Sequence, residues 1–314
     1  MLKKLRDSVL SSVQFGAFCY NFKSELEAYN KSKVILFGVP YDGTVSYQSG
    51  TKKGPNAILD ASVNIEPYDD ELGNIFKIGI FTVGNLNIEE FYTNEKKVME
   101  EIFTCSRKVI DDNKFLVTLG GEHSISQGAI KAYKNKYKKL SVLQLDAHLD
   151  LLNEFGGSKY NHASVMRRVV EDIGCRVTSF GVRVTSQEEL EFVKKNKKSV
   201  SVFYARNIYN NDLWHDEALK TLEENVYITL DVDGLDISIM PATGTPVPGG
   251  IGWYQTIDFL RKVYEKKNVV GFDIVELKPN IGNEAPNFLA ANLVYKNIGF
   301  YKNIPDNKMT RQCQ

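Results

Sequence analysis

Short apolar runs recur along the chain at wide intervals. Residues 33–38, 115–119, 141–146, 177–181, 200–204, 226–231 and 269–275 are rich in β-branched and large apolar side chains. Residues 77–83 form a weaker eighth run. Most of them lack the strict apolar–polar alternation of a half-exposed strand. They therefore read as strands covered on both faces. Between several runs the apolar spacing turns helical. In 124–137, Ile125, Ile130 and Tyr133 stand out against a lysine-rich remainder, and 163–173 and 254–264 behave alike. Strands alternating with helices predict an α/β fold, a mostly parallel sheet between two helical layers. No Pro/Gly/Ser linker and no internal repeat interrupts the pattern. A single domain over 1–314 is expected, with room for an extra helix in the first ~30 residues.

Composition narrows the class. Hydrophobic residues at 43% and charged residues at 25% are ordinary for a folded globular chain, which excludes intrinsic disorder and a disulfide-stapled miniprotein. Lysine plus arginine equals aspartate plus glutamate at 39 each, so no net field draws the chain to nucleic acid or to an anionic membrane. Cys19, Cys105, Cys175 and Cys313 are scattered and form no C-x-x-C, which argues against a zinc ribbon or a thioredoxin-type site. Few unpatterned cysteines fit a reducing compartment. The basic and apolar start, Met1 to Tyr20, is broken by Ser11, Ser12 and Gln14 and reads as neither signal peptide nor anchor. No stretch approaches the ~18 apolar residues of a membrane span. A cytoplasmic location is the expectation.

The chemistry sits just past strand ends. The chain has four histidines, His123, His148, His162 and His215. One strand runs into Asp146-Ala147-His148-Leu149-Asp150, another into Asp231-Val232-Asp233, and a third into Gly120-Gly121-Glu122-His123. In extended backbone, side chains two apart share a face, so Asp146, His148 and Asp150 are expected to converge, and Asp231 with Asp233 likewise. Gly120 and Gly121 are expected to permit a tight turn that delivers His123. The carboxyl edge of a parallel sheet is where such folds build sites. Aspartates gathered there repel one another unless polyvalent cations intervene. Six oxygen and nitrogen ligands exceed what one tetrahedral zinc needs and suit two divalent ions. Carboxylate with some imidazole and no thiolate points to Mn²⁺, with other first-row ions also compatible.

These segments resemble the ureohydrolase family of arginases, agmatinases and related amidino-hydrolases. Gly120-Gly121-Glu122-His123-Ser124 and Asp146-Ala147-His148-Leu149-Asp150 match two of its signatures. The third is Thr229-Leu230-Asp231-Val232-Asp233-Gly234-Leu235-Asp236 followed by Pro241-Ala242-Thr243-Gly244-Thr245-Pro246. The resemblance implies a three-layer α/β/α fold around an eight-stranded sheet, assembled as trimers or hexamers. It implies two manganese ions per subunit, one on His123 and Asp150, the other on His148 and Asp233, with Asp146 and Asp231 bridging. Asp150 is expected to be catalytic as well as a ligand. Glu276 matches the family's guanidinium-binding glutamate and His162 its proton-shuttling loop histidine, both touching substrate. Thr245 is expected to shape the pocket and to bind substrate, and Asp236 to be structural. His215 lacks a motif partner and is expected at the surface.

The implied reaction is hydrolysis of a small guanidino substrate to urea and an amine. Leu152 and Ser186 stand where an arginase-like chain has asparagine and aspartate. Asn161-His162-Ala163-Ser164-Val165-Met166-Arg167-Arg168 and Tyr41-Asp42-Gly43-Thr44 resemble agmatinase segments. Agmatine, giving putrescine and urea, is the leading substrate. Gln48 and Ser49 depart from the usual Arg-Pro, and Thr229, Ile237 and Lys278 also depart from the pattern. Arginase, guanidinobutyrase and formimidoylglutamase activities therefore stay open, as does a non-catalytic relative that keeps its metals. A deacetylase on the same fold would need only a mononuclear site.

Overall fold

The computed structural model describes residues 14–16, 24–211 and 213–303. The N-terminal helix expectation, Cys19 and Cys313 fall largely or wholly outside these residues. Eight strands form one sheet: β1 (Val34–Val39), β2 (Ile80–Asn85), β3 (Phe115–Gly120), β4 (Leu140–Leu145), β5 (Arg176–Val182), β6 (Val200–Tyr204), β7 (Asn225–Asp231) and β8 (Asn268–Val275). Their spatial order is β2-β1-β3-β8-β7-β4-β5-β6, and every pairing is parallel. All eight apolar runs are strands of this sheet. A two-residue ribbon, Tyr68–Asp69 with Gly73–Asn74, lies apart from it.

Alternate side chains of each strand enter different cores, as the pleat requires. Val34 and Leu36 pack with Val117, Ile228 and Phe272 beneath Leu260, Val263, Leu293 and Ile298. Ile35 and Phe37 pack on the other face with Leu116, Val142 and Tyr227 beneath Met99, Ile102, Ile130 and Val165. The first face is covered by helices Gly54–Ser62, Trp214–Thr221, Trp253–Lys266 and Ala285–Lys302, the second by Glu95–Asp111, Ser126–Lys136 and Gln187–Lys195. The three-layer arrangement follows. The stretch expected as one helix over 163–173 is instead a 3-10 turn (His162–Ser164), one α turn (Val165–Arg168) and a π turn (Val169–Ile173). Among the described residues, no helix is long and apolar enough to cross a membrane.

The order of strands places the site. β3, β8, β7 and β4 are the four central neighbours, and their carboxyl ends lead into His123, Glu276, Asp231 with Asp233, and Asp146 with His148. Strands about 4.8 Å apart bring these four loop starts within reach of one another.

Candidate functional site

The residues at this edge form two overlapping clusters. His123, Asp146 and Asp231 make one group of convergent ligand atoms, and Asp146, His148 and Asp233 make the other. Asp146 spans both: its Oδ2 is 3.0 Å from His123 Nδ1 and its Oδ1 is 3.4 Å from His148 Nδ1. His123 Nδ1 is also 2.9 Å from Asp150 Oδ2 and 3.3 Å from Asp231 Oδ2. His148 Nδ1 lies 3.0 Å from Asp233 Oδ2. The six expected residues are thus brought together.

The route to convergence differs from the expectation in two ways. β4 ends at Leu145, and Asp150 has φ of 54°, so the 146–150 segment is not extended throughout. Asp150 is aimed by a left-handed backbone, fixed where its carbonyl accepts from the N–H groups of Met166 and Arg167 at 3.0 and 3.1 Å. The glycines before His123 do not adopt left-handed turns either. Gly121 is required because a Cβ there would lie 1.9 Å from the Tyr41 carbonyl oxygen. The need is close approach of two loops, not turn geometry.

A cation fits these residues, and His123 shows why. Thr229 donates its hydroxyl proton to Asp273 Oδ1 at 2.6 Å, so it accepts from His123 Nε2–H at 2.9 Å. In the neutral ring that leaves Nδ1 bare. Burial disfavours a second proton, yet Asp146, Asp150 and Asp231 raise the pKa of this ring well above its ordinary value, so without a metal a proton is drawn to Nδ1. This nitrogen is buried, faces three carboxylate oxygens, and makes no properly directed hydrogen bond to any of them. A lone pair against anionic oxygens is repulsive unless a proton or a metal ion lies among them, and three carboxylates around one imidazole nitrogen can exchange that proton for a metal ion. The outer Thr229–Asp273 pair has the form in which ligand histidines are commonly oriented. The other ligands are held too. Asp146 Oδ2 accepts from Gln144 Nε2 at 2.7 Å, and Gln144 accepts in turn from Ser179. Asp233 accepts from Ala147 N–H and Thr245 Oγ1, each at 3.0 Å.

Charge burial is severe here. Burial, then the charge of Asp146, pushes Asp150 up to about 7. Burial, then Asp233 and Asp146, raises Asp231 well above the usual carboxylate range. Burial opposes a proton on His148, yet the charge of Asp233 and hydrogen bonds to both aspartates outweigh it and push it up to about 12. Glu276 keeps a little exposure to the cleft but is otherwise enclosed; burial, then Glu122, raises it well above normal. Its backbone is also left-handed, at φ 65°. Its Oε1 accepts from His123 N–H at 2.7 Å, and its N–H donates to the Gly121 carbonyl at 2.7 Å. Besides Asn113, Asp150 and Glu276 are the non-glycine residues at positive φ among those described. Such strain concentrates at functional sites.

A cleft of about 160 Å³ opens over the cluster. Its walls include Tyr47, Gln48, Phe155, His162, Thr245 and Glu276, with five of the six cluster residues on its floor. His162 is half-buried, its ring edge-on to Phe155. Burial, then the neighbouring His148, lowers its pKa to about 4. Asp236 lies apart and caps a turn through Ser238 and Gly250, a structural place. His215 is half-buried rather than free at the surface, because its ring stacks on Phe259. Lys278 lies outside the cleft lining and donates to the carboxamide oxygen of Gln48. The orienting residues Gln144, Thr229 and Asp273 share a signal visible in the sequence. Each is a polar side chain inside an apolar strand, a placement that calls for buried partners.

Comparison with known proteins agrees with this geometry. The model of the arginase family matches residues 32–299. The N(1)-aminopropylagmatine ureohydrolase of Synechocystis sp. is 36% identical over 283 residues, covering 88% of this chain and 91% of that protein. The agmatinase of Pyrococcus horikoshii is 36% identical over 267 residues, 84% of this chain and 90% of that one. The solved agmatine ureohydrolase of Thermoplasma volcanium superposes with a TM-score of 0.81 at 31% identity, covering 96% of this chain and 97% of its own. Sheet order, clustered ligands and matched length together make this chain a member of the arginase family.

Proposed function

We propose that the chain is a hydrolase that cleaves the guanidino group of an agmatine-type alkylamine, releasing urea and the free amine. The observation that carries this reading is the pair of ligand clusters sharing Asp146 on the floor of the cleft that Glu276 and His162 line. In this reading His123, Asp146, His148, Asp150, Asp231 and Asp233 hold two Mn²⁺ ions. When bound, the ions acidify water and supply a nucleophile at neutral pH.

The side chains have distinct tasks. Glu276 receives the guanidinium, a planar cation that matches a carboxylate and offsets its buried charge. Asp150 holds an ion and accepts a hydrogen bond from the attacking water. His162 is neutral at pH 7, so it takes up a proton during attack and passes it to the departing amine. Thr245 steadies Asp233. The products are then urea and a protonated amine.

The tail of the substrate is an amine in this reading. Ser186 is occupied as a helix cap, donating to Glu189 Oε2 and accepting from Glu189 N–H, and Leu152 offers no polar group. Neither serves an α-amino acid. Relatives named for agmatine and for its N-aminopropyl derivative both support a cationic alkyl tail. Assembly as a trimer or hexamer in the cytoplasm belongs to the same proposal.

The test is urea release by Mn²⁺-loaded protein offered agmatine, N-aminopropylagmatine and arginine in parallel, beside a metal-stripped control. Metal-dependent turnover of the two amines but not arginine is expected. Turnover of arginine alone would overturn the substrate, and silence with all guanidino compounds from metal-replete protein would overturn the activity.

A further inference from the structure

The loop after β1 reaches the same edge through Thr44. Its N–H donates to Glu122 Oε2 at 2.7 Å, and its hydroxyl donates to Glu122 Oε1. Ser124 Oγ also donates to Oε1. Glu122 is wholly buried, and three donors are directed at its two oxygens, which supports the carboxylate against burial; as a carboxylate it can only accept from Thr44. The single hydroxyl proton of Thr44 is therefore committed to Glu122. The lone pairs of Thr44 Oγ1 meet His162, whose backbone N–H lies at 3.2 Å and whose Nδ1 lies at 3.4 Å. An oxygen with no proton left to give can only accept from that ring nitrogen. The loop is seated by backbone contact as well, since Glu122 N–H donates to the Tyr41 carbonyl at 2.8 Å.

We infer that Thr44, braced by Glu122, is a positioning residue that holds His162 in the tautomer with its proton on Nδ1 and Nε2 bare. This rests on the reading of His162 as proton carrier. Nε2 has no protein partner recorded among the described residues, so it is the nitrogen left for the reaction. The proton balance is closed: water gives a proton to Nε2, the tetrahedral adduct collapses, and Nε2–H gives that proton to the amine nitrogen as the C–N bond breaks. The opposite tautomer would present N–H where a base is needed. Free imidazole has no such constraint, so the Thr44 hydroxyl selects the competent form.

The experiment reads the tautomer directly. The ring ¹⁵N shifts of His162 are recorded in full-length protein loaded with diamagnetic Cd²⁺, and the signal is assigned by its loss in His162→Asn. Wild type and Thr44→Ser are expected to show protonated Nδ1, and Thr44→Val a shift toward protonated Nε2. With Mn²⁺, Thr44→Val is expected to lower kcat roughly 10- to 100-fold, with KM and metal content held, and Thr44→Ser to restore it. Protonated Nε2 in the wild type overturns the inference even if Thr44→Val fails to fold. An unchanged tautomer in folded Thr44→Val overturns it too. If His162→Asn turns over like wild type, the proton-carrier reading falls, and the ring shifts alone then decide what Thr44 does.

Discussion

The floor and the rim of the cleft are built in opposite ways. On the floor nearly every ligand has a second anchor. Gln144 holds Asp146, Ala147 and Thr245 hold Asp233, the Asp233 N–H donates to Asp231 at 2.8 Å, and Thr229 holds His123. These residues sit at the ends of the central strands and are mostly buried. On the rim, Tyr47 is 73% exposed and Phe155 40% exposed, while Gln48 has its recorded partner in Lys278. The floor is organised before substrate arrives; the rim has room to follow the substrate's tail. Reaction class should thus depend on the floor and resist change at the rim, whereas substrate preference should yield to change at the rim.

The largest effect should come from removing a buried carboxylate of the floor. Asp231→Ala should abolish urea production and lower the bound metal count measured by elemental analysis; normal urea output would break the two-ion model. Glu276→Gln should follow. Losing a buried carboxylate that faces a cation costs about 3 kcal/mol, roughly a hundredfold in kcat/KM, with metal content unchanged. An unaltered kcat/KM would remove Glu276 from substrate recognition.

Acidity sharpens the contrast. In metal-free protein His148 is raised to about 12 and Asp150 to about 7, so a metal must displace a proton from His148 throughout and one from Asp150 below about pH 7. Mn²⁺ affinity, titrated by calorimetry, should therefore rise between pH 6 and 8, by about tenfold per unit for each proton released. A flat profile would contradict protonated ligands. The smallest effects belong to the rim. Tyr47→Ala at the exposed rim, and Lys278→Ala acting through Gln48, should change KM for the substrate by about two- to fivefold, with kcat held. A large fall in kcat from either would erase the division between rim and floor.

Much of this was legible in the chain. Most sheet strands announce themselves because strands buried on both faces are largely apolar; the edge strand Val200–Tyr204 is only partly covered, and the weak run 77–83 opens in a 3-10 turn before its strand begins at Ile80. Helices were harder. Ala285–Lys302 buries most of its circumference, including Ala290, Leu293, Val294, Ile298 and Tyr301, so it carries little periodic contrast to read. Glu95–Asp111 does show a stripe of Val98, Met99, Ile102, Cys105 and Val109, yet its register against the sheet is a tertiary fact. The six metal-binding candidates were legible as residues. The reason for their convergence was not, because Asp150 bends left-handed where alternation predicted extension.

The sequence by itself determined the elements, the donor types and the family resemblance, because these are local: burial writes apolar runs, and ligand chemistry writes carboxylates and imidazoles after them. Only the tertiary structure decided which ends meet. β3, β8, β7 and β4 are neighbours in space but far apart in the chain, and their crossing order is set by how helices pack on both faces. It also decided which nitrogen of each histidine is free. For His123 that depends on Thr229 with Asp273 and for His162 on Thr44 with Glu122, and the two threonines lie 106 and 118 residues from the rings they orient. Spacing along a chain carries no record of where a hydroxyl proton goes.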